Sequence, residues 1–204
     1  MSDTGLPHRE CFWERHTAGD GAWRQASDTP SGEDLAALRR GIGREAGSVP
    51  EMWPFYTTLA ADGRLSDRLR AEHVTLTLFA IHQQSRSQPA HRDGVGLGSA
   101  IRALRESEQF SPEAVDRRFA AAATATSLAE LSVHLRGLIS QLRNVRSGLD
   151  YSLLFRDLRD WQWPERVAAV RRHWGSQYFV RPGGPGNAHH LGTSAAAGDV
   201  PQAQ

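Results

Sequence analysis

Residues 128–145 read LAELSVHLRGLISQLRNV, and this stretch decides the fold class. Its apolar side chains recur at spacings of three and four residues, the period at which one face of an α-helix is buried. They are Leu128, Leu131, Leu135, Leu138, Ile139, Leu142 and Val145. Ser127 and Glu130 have the spacing of a capping box at the start of this run. We therefore predict a helix over residues 128–147 that buries its leucine face against other helices.

The same helical signals continue on both sides of this segment. Ser111 precedes Pro112, as an N-cap precedes proline in the first helical position, and Ser48 with Glu51 repeats the capping-box spacing. Residues 74–78 alternate like a strand, but no partner strand is indicated elsewhere, and a lone strand is not stable. We predict an all-α protein with helices at residues 8–18, 33–46, 50–61, 66–86, 98–107, 112–124, 128–147, 151–161 and 164–180.

Local composition divides these helices into two groups. The polar stretch 82–98 contains Pro89 and three glycines and lacks strong periodicity, which is typical of a connecting segment. We predict two small helical bundles, over residues 1–86 and 98–181, joined by a Gly/Pro-containing linker over 87–97. Residues 182–204 are mostly Gly, Pro, Ala and small polar residues, so they cannot bury enough apolar area to order themselves. They are predicted to form a disordered tail.

The composition of the whole chain excludes several classes of protein. The 204 residues include 24 basic side chains against 23 carboxylates, and every basic one is arginine. Without lysine, the chain cannot be a P-loop nucleotide-binding protein, a protein kinase or a Schiff-base enzyme. The single cysteine, Cys11, excludes an internal disulfide. The chain start lacks a signal-peptide layout and no apolar run is long enough to span a membrane, so we expect a cytoplasmic protein without a membrane partner.

Charge is unevenly distributed, although the formal net charge is only +1. Residues 1–34 hold three arginines against seven carboxylates, whereas residues 131–182 hold nine arginines against four. On the leucine-rich helix, Arg136 and Arg143 are seven residues apart, so they differ by only about 20° in helical phase. Such columns suggest a shallow basic surface that follows phosphates without reading bases. Ordinary surface ion pairs with carboxylates are the alternative explanation, and the sequence does not choose between them.

No motif in the sequence points to a catalytic or metal centre. The run Gly94–Gly98 lies ahead of a predicted helix, but no strand precedes it, as a nucleotide-binding loop requires. We therefore interpret it as a flexible segment that leads into the helix. His73 and His82 are nine residues apart on one predicted helix and so face opposite ways. Most aromatic residues fall on apolar helix phases, which predicts core packing. We expect no catalytic residues, no metal and no cofactor.

Six segments in order resemble the CasB family, the small subunit of the type I-E CRISPR Cascade complex. They are ALRRGIGREAGSVPEMWPFY, LTLFAIHQQS, GVGLGSAIRAL, HLRGLISQLR, LDYSLLFRDLRDWQ and VRRHWGSQYF. The resemblance runs from about Leu35 to Phe179, and it lies in the order and spacing of the segments more than in any one of them.

The resemblance implies an all-helical, non-catalytic subunit of an RNA-guided complex of antiviral defence. Its expected partners are the CasC backbone, the CasA large subunit, a second copy of itself and crRNA-guided target DNA. In such complexes guide pairing reads the sequence, and the protein holds the backbone of the target strand and of the displaced strand in the R-loop. The residues 82–85 either contact other subunits or are simply a solvated helix end.

The family's basic patch maps onto eight arginines of this sequence. The nucleic-acid-binding residues predicted in this way are Arg39, Arg40, Arg117, Arg118, Arg136, Arg143, Arg166 and Arg172. The alternative is an all-helical protein–protein adaptor, or clamp, whose arginines bind acidic patches on partner proteins without contacting nucleic acid. A third hypothesis is metal-assisted phosphodiester hydrolysis that uses His73 or His82.

Overall fold

In the computed structural model, residues 10–18 and 20–180 are described. Within these ranges the regular secondary structure is helical, with two isolated bridges, Thr17 to Trp23 and His91 to Leu149. The α-helices are α1 (Phe12–His16), α2 (Gly32–Arg40), α3 (Asp67–Gln83), α4 (Leu97–Arg105), α5 (Pro112–Thr124), α6 (Leu128–Asn144), α7 (Tyr151–Asp160) and α8 (Pro164–Phe179). Two 3₁₀ helices span Ala26–Asp28 and Pro50–Phe55. The predicted all-α class is confirmed.

Two of the three predicted helix starts form as expected. The Ser111 and Ser127 hydroxyls accept the backbone N–H groups of Ala114 and Glu130, at 3.4 and 3.1 Å. The Glu130 carboxylate does not return to Ser127, as a capping box requires, because it accepts the N–H of Thr126 at 2.8 Å. Both serines therefore satisfy an N–H group that the first helical turn leaves unpaired.

The third predicted start, at Ser48 and Glu51, is wrong. The Ser48 hydroxyl donates to the Glu45 carbonyl at 2.7 Å, and a short 3₁₀ helix begins at Pro50. Pro54 inside it has no N–H to donate, which disfavours a longer α-helix. Beyond it, the N–H groups of Thr57 and Thr58 donate to the buried Glu72 carboxylate at 2.7 and 3.0 Å. The helix predicted over 50–61 ends at Phe55 because this tertiary partner takes the amides that would continue it.

Helix α3 is the centre of the molecule. It packs against α2, α6 and α7, and from Thr75 to Gln83 every side chain on it is buried. Residues 74–78, whose alternation resembles that of a strand, lie within this helix as predicted, and a helix that is enclosed on all sides has no polar face that would show a helical period. Because α6 and α7 follow residues 87–97 in the chain, the buried core is continuous across the predicted linker. The division into bundles at 1–86 and 98–181 stays a prediction.

The connecting segment after α3 is held by specific hydrogen bonds. The N–H of Leu149 donates to the Ala90 carbonyl at 2.9 Å, and the N–H of Arg92 donates to the Leu149 carbonyl at 3.1 Å. Farther along, α4 crosses α8 so closely that a Cβ on Gly98 would lie 2.2 Å from the Trp174 carbonyl oxygen. The glycine is therefore required by the helix crossing.

The ends of the chain carry two predictions that the structure does not address. The predicted tail, residues 182–204, and the first nine residues lie outside the described part. Among the described helices, none is long and apolar enough to cross a membrane.

Candidate nucleic-acid interface

Arg136, Ser140 and Arg143 form a stripe along the side of α6, which we call the α6 stripe. Its two arginines are about 10 Å apart along the helix axis, because each residue adds about 1.5 Å. The opposite face of α6 is held in the core by its leucines. The chain has no carboxylate between Leu131 and Leu149, so neither arginine has an acidic neighbour along its own helix. The stripe is fixed in direction, and within residues 10–18 and 20–180 neither of its arginines forms an ion pair.

A groove of about 420 Å³ opens beside the first arginine of the stripe. It lies between the segment after α2, the middle of α3 and the first turns of α6. Arg44 and Arg136 line it together with Arg70, whose guanidinium pairs with Asp67 at 2.9 Å. Its walls are largely apolar and include Val133, which is 55% exposed. Glu45 also lines the groove, but the guanidinium groups of Arg44 and Arg136 form no ion pair with any residue that the structure describes.

A second concavity, of about 400 Å³, lies beside the other end of the stripe, and we call it the arginine pocket. It is formed where the chain leaves α3 and where it leaves α6. Its lining residues are Gln84, Ser85, Arg86, Ser87, Gln88, Arg143, Asn144 and Arg146. Three guanidinium groups thus meet on a lining that contains no carboxylate and no apolar side chain.

Arg86 is fixed behind this pocket by a chain of buried hydrogen bonds. One of its terminal nitrogens lies 3.3 Å from Nε2 of His82, whose Nδ1 is 2.9 Å from the Tyr151 hydroxyl. Since arginine only donates, His82 carries its proton on Nδ1 and donates it to Tyr151, which in turn donates to the Leu78 carbonyl at 3.4 Å. Burial, and then the charge of Arg86, lower the pKa of His82 to about 3. His82 is therefore neutral at physiological pH.

The eight predicted arginines do not form one patch. Arg136 and Arg143 share the α6 stripe, and the groove beside Arg136 also contains Arg44, four residues after Arg40. The remaining six line neither concavity: Arg39 and Arg40 end α2, Arg117 and Arg118 are exposed on α5, and Arg166 and Arg172 are exposed on α8.

Two of the eight are already partnered by carboxylates. Arg40 forms an ion pair with Glu51, and Arg166 pairs with Asp160 at 3.1 Å while its guanidinium lies 5.5 Å from the Trp163 ring centre. The others form no ion pair with the residues the structure describes. Their role as nucleic-acid contacts stays a prediction, and the pairings weaken it for Arg40 and Arg166.

One cluster has the residue types of a metal site, namely His91, Asp93 and Asp150. The backbone N–H of Tyr151 donates to Nδ1 of His91 at 3.1 Å, so Nε2 carries the proton and faces Asp93 at 3.0 Å. Both oxygens of Asp150 accept backbone N–H groups, from Leu153 at 2.9 Å and Gly94 at 2.8 Å. These bonds hold the start of α7 against the connecting segment, and His91 has no lone pair free for a metal.

The two histidines of the hydrolysis hypothesis are both used inside the fold. His73 contacts the Tyr56 hydroxyl at 2.7 Å and the Gly41 carbonyl at 2.8 Å, and burial lowers its pKa. His82 is bonded to Arg86 and Tyr151 on the other side of α3, as their opposite phases predicted. Neither has a ring nitrogen available for a ligand.

The Gly94–Gly98 run does not present a phosphate-binding loop. The N–H of Gly94 donates to Asp150, that of Gly96 to the Gly94 carbonyl at 3.2 Å, and that of Gly98 to Gln177 at 3.1 Å. With these amides occupied, the glycines serve backbone geometry and helix packing.

Comparison with known proteins gives this surface its context. A family model described as CRISPR-associated protein Cse2 matches residues 34–179. The chain belongs to the Cse2 family. This confirms the resemblance to CasB proteins expected from the sequence, over almost the same residues. No curated protein matches the sequence.

Solved structures of the Cse2 family have the same fold. CasB from Thermobifida fusca is 32% identical, with a TM-score of 0.59 over 71% of this chain and 82% of that one. A chain of a CRISPR RNA-guided surveillance complex is 28% identical, with a TM-score of 0.56 over 72% and 82% of the two chains. CasB from Thermus thermophilus is 25% identical, with a TM-score of 0.56 over 72% and 85%.

Three arginines beside the α6 stripe were not found from the sequence. Arg44 follows the predicted Arg39–Arg40 pair, but it lies in a turn and not on a helix face. Arg86 and Arg146 lie in irregular segments 60 residues apart, and they meet through the donation from Arg86 Nη2 to the Arg146 carbonyl at 3.2 Å. All three lie in helices predicted over 33–46, 66–86 and 128–147, and these predicted ends are wrong, because α2, α3 and α6 end at Arg40, Gln83 and Asn144. Helical phase therefore does not place these arginines, and only the tertiary structure brings them to the stripe.

Proposed function

We propose that this protein is the small subunit of a type I-E Cascade surveillance complex and that it holds nucleic-acid backbone along the α6 stripe. Membership of the Cse2 family and the likeness to a chain of an RNA-guided surveillance complex support the assignment to Cascade. Its proposed partners there are the CasC backbone, the CasA subunit, a second copy of itself and the crRNA-guided target DNA. We propose a positional role, without catalysis.

One observation carries the nucleic-acid part of this proposal: the arginines of the α6 stripe have no carboxylate partner among the described residues. Guanidinium groups fixed on a helix and left without a counter-charge attract phosphates, which they bind with two parallel hydrogen bonds. The stripe has no aromatic residue for stacking between its two arginines, so it suits the backbone and not the bases. Of the predicted arginines, Arg39, Arg117, Arg118 and Arg172 are proposed as further contacts.

The test is a salt series of single-stranded DNA binding with Arg44→Gln/Arg136→Gln. Both arginines line the groove beside the stripe, so we expect weaker binding and a smaller dependence of log K on log salt, by roughly 0.7 units for each phosphate that is no longer neutralised. The matched control is Arg68→Gln/Arg156→Gln, which removes the same charge from exposed positions outside both concavities. Arg68 and Arg70 differ by about 200° in phase, so Arg68 faces away from the groove.

The clamp alternative predicts a different outcome of this experiment. If the arginines bind acidic patches on partner proteins, the groove variant will bind single-stranded DNA as the wild type does and will instead fail to join the complex. Equal salt slopes for the wild type, the groove variant and the control would contradict backbone binding at this surface.

A further inference from the structure

The arginine pocket brings three arginines together on a lining that contains no carboxylate. Arg86 donates to three carbonyls, those of Ser147 at 3.0 Å, Arg146 at 3.2 Å and Pro89 at 3.3 Å. These bonds tie the end of α3 to the turn after α6. Its remaining nitrogen, Nε, is buried and has no hydrogen-bond partner among the described residues. The position of Arg86 is explained by its carbonyl partners, but its charge is not balanced by them.

The other two guanidinium groups of the pocket leave this charge unbalanced. Arg143 reaches only the neutral Gln84 side chain, at 3.4 Å, and Arg146 is exposed. Within the described ranges, none of the three arginines forms an ion pair. Burial, with the charge of Arg146, lowers the pKa of Arg86, the response expected of a cation that is desolvated beside another cation. An anion in the pocket would relieve both effects.

Arg146 occupies a position whose backbone conformation is unfavourable for arginine. Its φ of 55° is in the left-handed region, which asparagine and glycine adopt with less strain. Its side chain forms no hydrogen bond with the part of the chain that the structure describes. The side chain therefore adds no hydrogen bond to the described fold, and its charge is free to meet a ligand.

We propose that the arginine pocket binds a phosphodiester group of a single-stranded nucleic-acid backbone. The proposal rests on the proposed function and adds to it a specific site, with Arg86 and Arg146 as binding residues. Arg143 belongs to both the pocket and the α6 stripe, so one strand could follow the stripe and place its next phosphates here. The lining offers amide and hydroxyl donors from Gln84, Asn144 and Ser87 to phosphate oxygens. It has no apolar wall for the side chains of a peptide.

The test compares Arg143→Gln/Arg146→Asn with the wild-type chain, using fluorescein-labelled oligothymidylate across a salt series. Arg86 is kept because its carbonyl bonds support the fold. We expect a weaker affinity and a salt slope reduced by roughly 1.4 units, since two phosphates are released at about 0.7 units each. The melting temperature should be unchanged or higher, since asparagine relieves the strained backbone. A loss of binding without a loss of stability separates a ligand role from a structural one.

The outcomes distinguish this proposal from the broader one. If the wild type does not bind the oligonucleotide, the proposed function fails. If Arg44→Gln/Arg136→Gln weakens binding and Arg143→Gln/Arg146→Asn does not, the pocket assignment is overturned, together with the role of Arg143 in the stripe. Because Arg146 lies outside the stripe, the single variant Arg146→Asn must also weaken binding, and unchanged binding by it overturns the pocket alone. Polyglutamate is the second probe: if the pocket variant loses polyglutamate binding and keeps oligothymidylate binding, the ligand is an acidic protein segment and the proposal is wrong.

Discussion

His82 should make the stability of the protein depend on pH in a way that one substitution removes. Its ring is completely buried, and its pKa in the folded state is about 3, against 6.5 in an exposed chain. The unfolded chain therefore binds a proton between these values while the folded one does not. This contribution to stability is fully present above pH 6.5 and is lost as the pH falls from 6.5 toward 3.

The magnitude follows from the distance between the two pKa values. A pH of about 5 is roughly 1.5 units below the pKa of histidine in the unfolded chain, and each pH unit changes the free energy of unfolding by about 1.36 kcal/mol. The free energy of unfolding should thus fall by about 2 kcal/mol between about pH 7.5 and pH 5 because of His82 alone. His73, which burial also shifts downward, adds a loss in the same direction.

The assay is urea unfolding, followed by tryptophan fluorescence at the two pH values, of the wild type, His82→Gln and His134→Gln. Glutamine keeps one donor and one acceptor for Tyr151 and Arg86 but does not titrate. The loss contributed by His73 is common to all three proteins and cancels. His134, partly exposed on α6, is the control, because its replacement leaves the buried chain intact and should keep the loss that His82 causes. If His82→Gln loses as much as the wild type, the account of the buried Arg86–His82–Tyr151 chain is refuted.

Three further predictions concern packing and burial. Gly98→Ala should destabilise the protein by about 1–3 kcal/mol in urea unfolding, because the added Cβ meets the backbone of α8. The control, Gly137→Ala, has no atom within 4 Å of the added Cβ and should stabilise the protein by about 0.5–1 kcal/mol. Equal effects of the two substitutions would contradict the close crossing. Glu72→Gln should lower the free energy of unfolding by about 2–4 kcal/mol in the same measurement. The Glu72 carboxylate accepts four hydrogen bonds from Thr57 and Thr58, and an amide cannot accept all four. Unchanged stability would contradict that network. Burial raises the pKa of the Cys11 thiol to about 12, so native protein should react with a disulfide reagent roughly a thousandfold more slowly than an exposed cysteine, and rapid labelling would show that the thiol is accessible.

The helices were predictable from the sequence where local signals and burial agree. The leucine period of α6 and the serine caps at Ser111 and Ser127 depend on neighbours within a few residues, and all of them form. The segment after Pro50 was not predictable in the same way. It ends because the backbone N–H groups of Thr57 and Thr58 donate to the Glu72 carboxylate, 15 and 14 residues away. No local sequence pattern predicts a hydrogen bond over that separation.

The residues of the candidate site were likewise predictable only where helical periodicity places them. The Arg136–Arg143 pair was visible because helical periodicity places two residues seven apart on one side. The partners of Arg40 and Arg166 were not visible, because Glu51 lies across a turn and Asp160 lies at the end of the preceding helix. The arginine pocket depends on two irregular segments that α3 and α6 bring together, so only the packing of those helices reveals it.

The central claim is that the α6 stripe contacts nucleic acid, and a photocrosslinker at position 140 tests it directly. Ser140 lies between Arg136 and Arg143, and its hydroxyl donates to the backbone carbonyl of Arg136 at 2.8 Å. Because this bond does not involve an arginine side chain, a benzoylphenylalanine at position 140 leaves both guanidinium groups in place. The complex is assembled with guide RNA and target DNA and then irradiated, with a crosslinker at exposed Ala103 on α4, a helix that carries none of the proposed arginines, as the control. We predict covalent products with a nucleic-acid strand from position 140. Products with partner proteins alone would contradict backbone binding and favour the clamp.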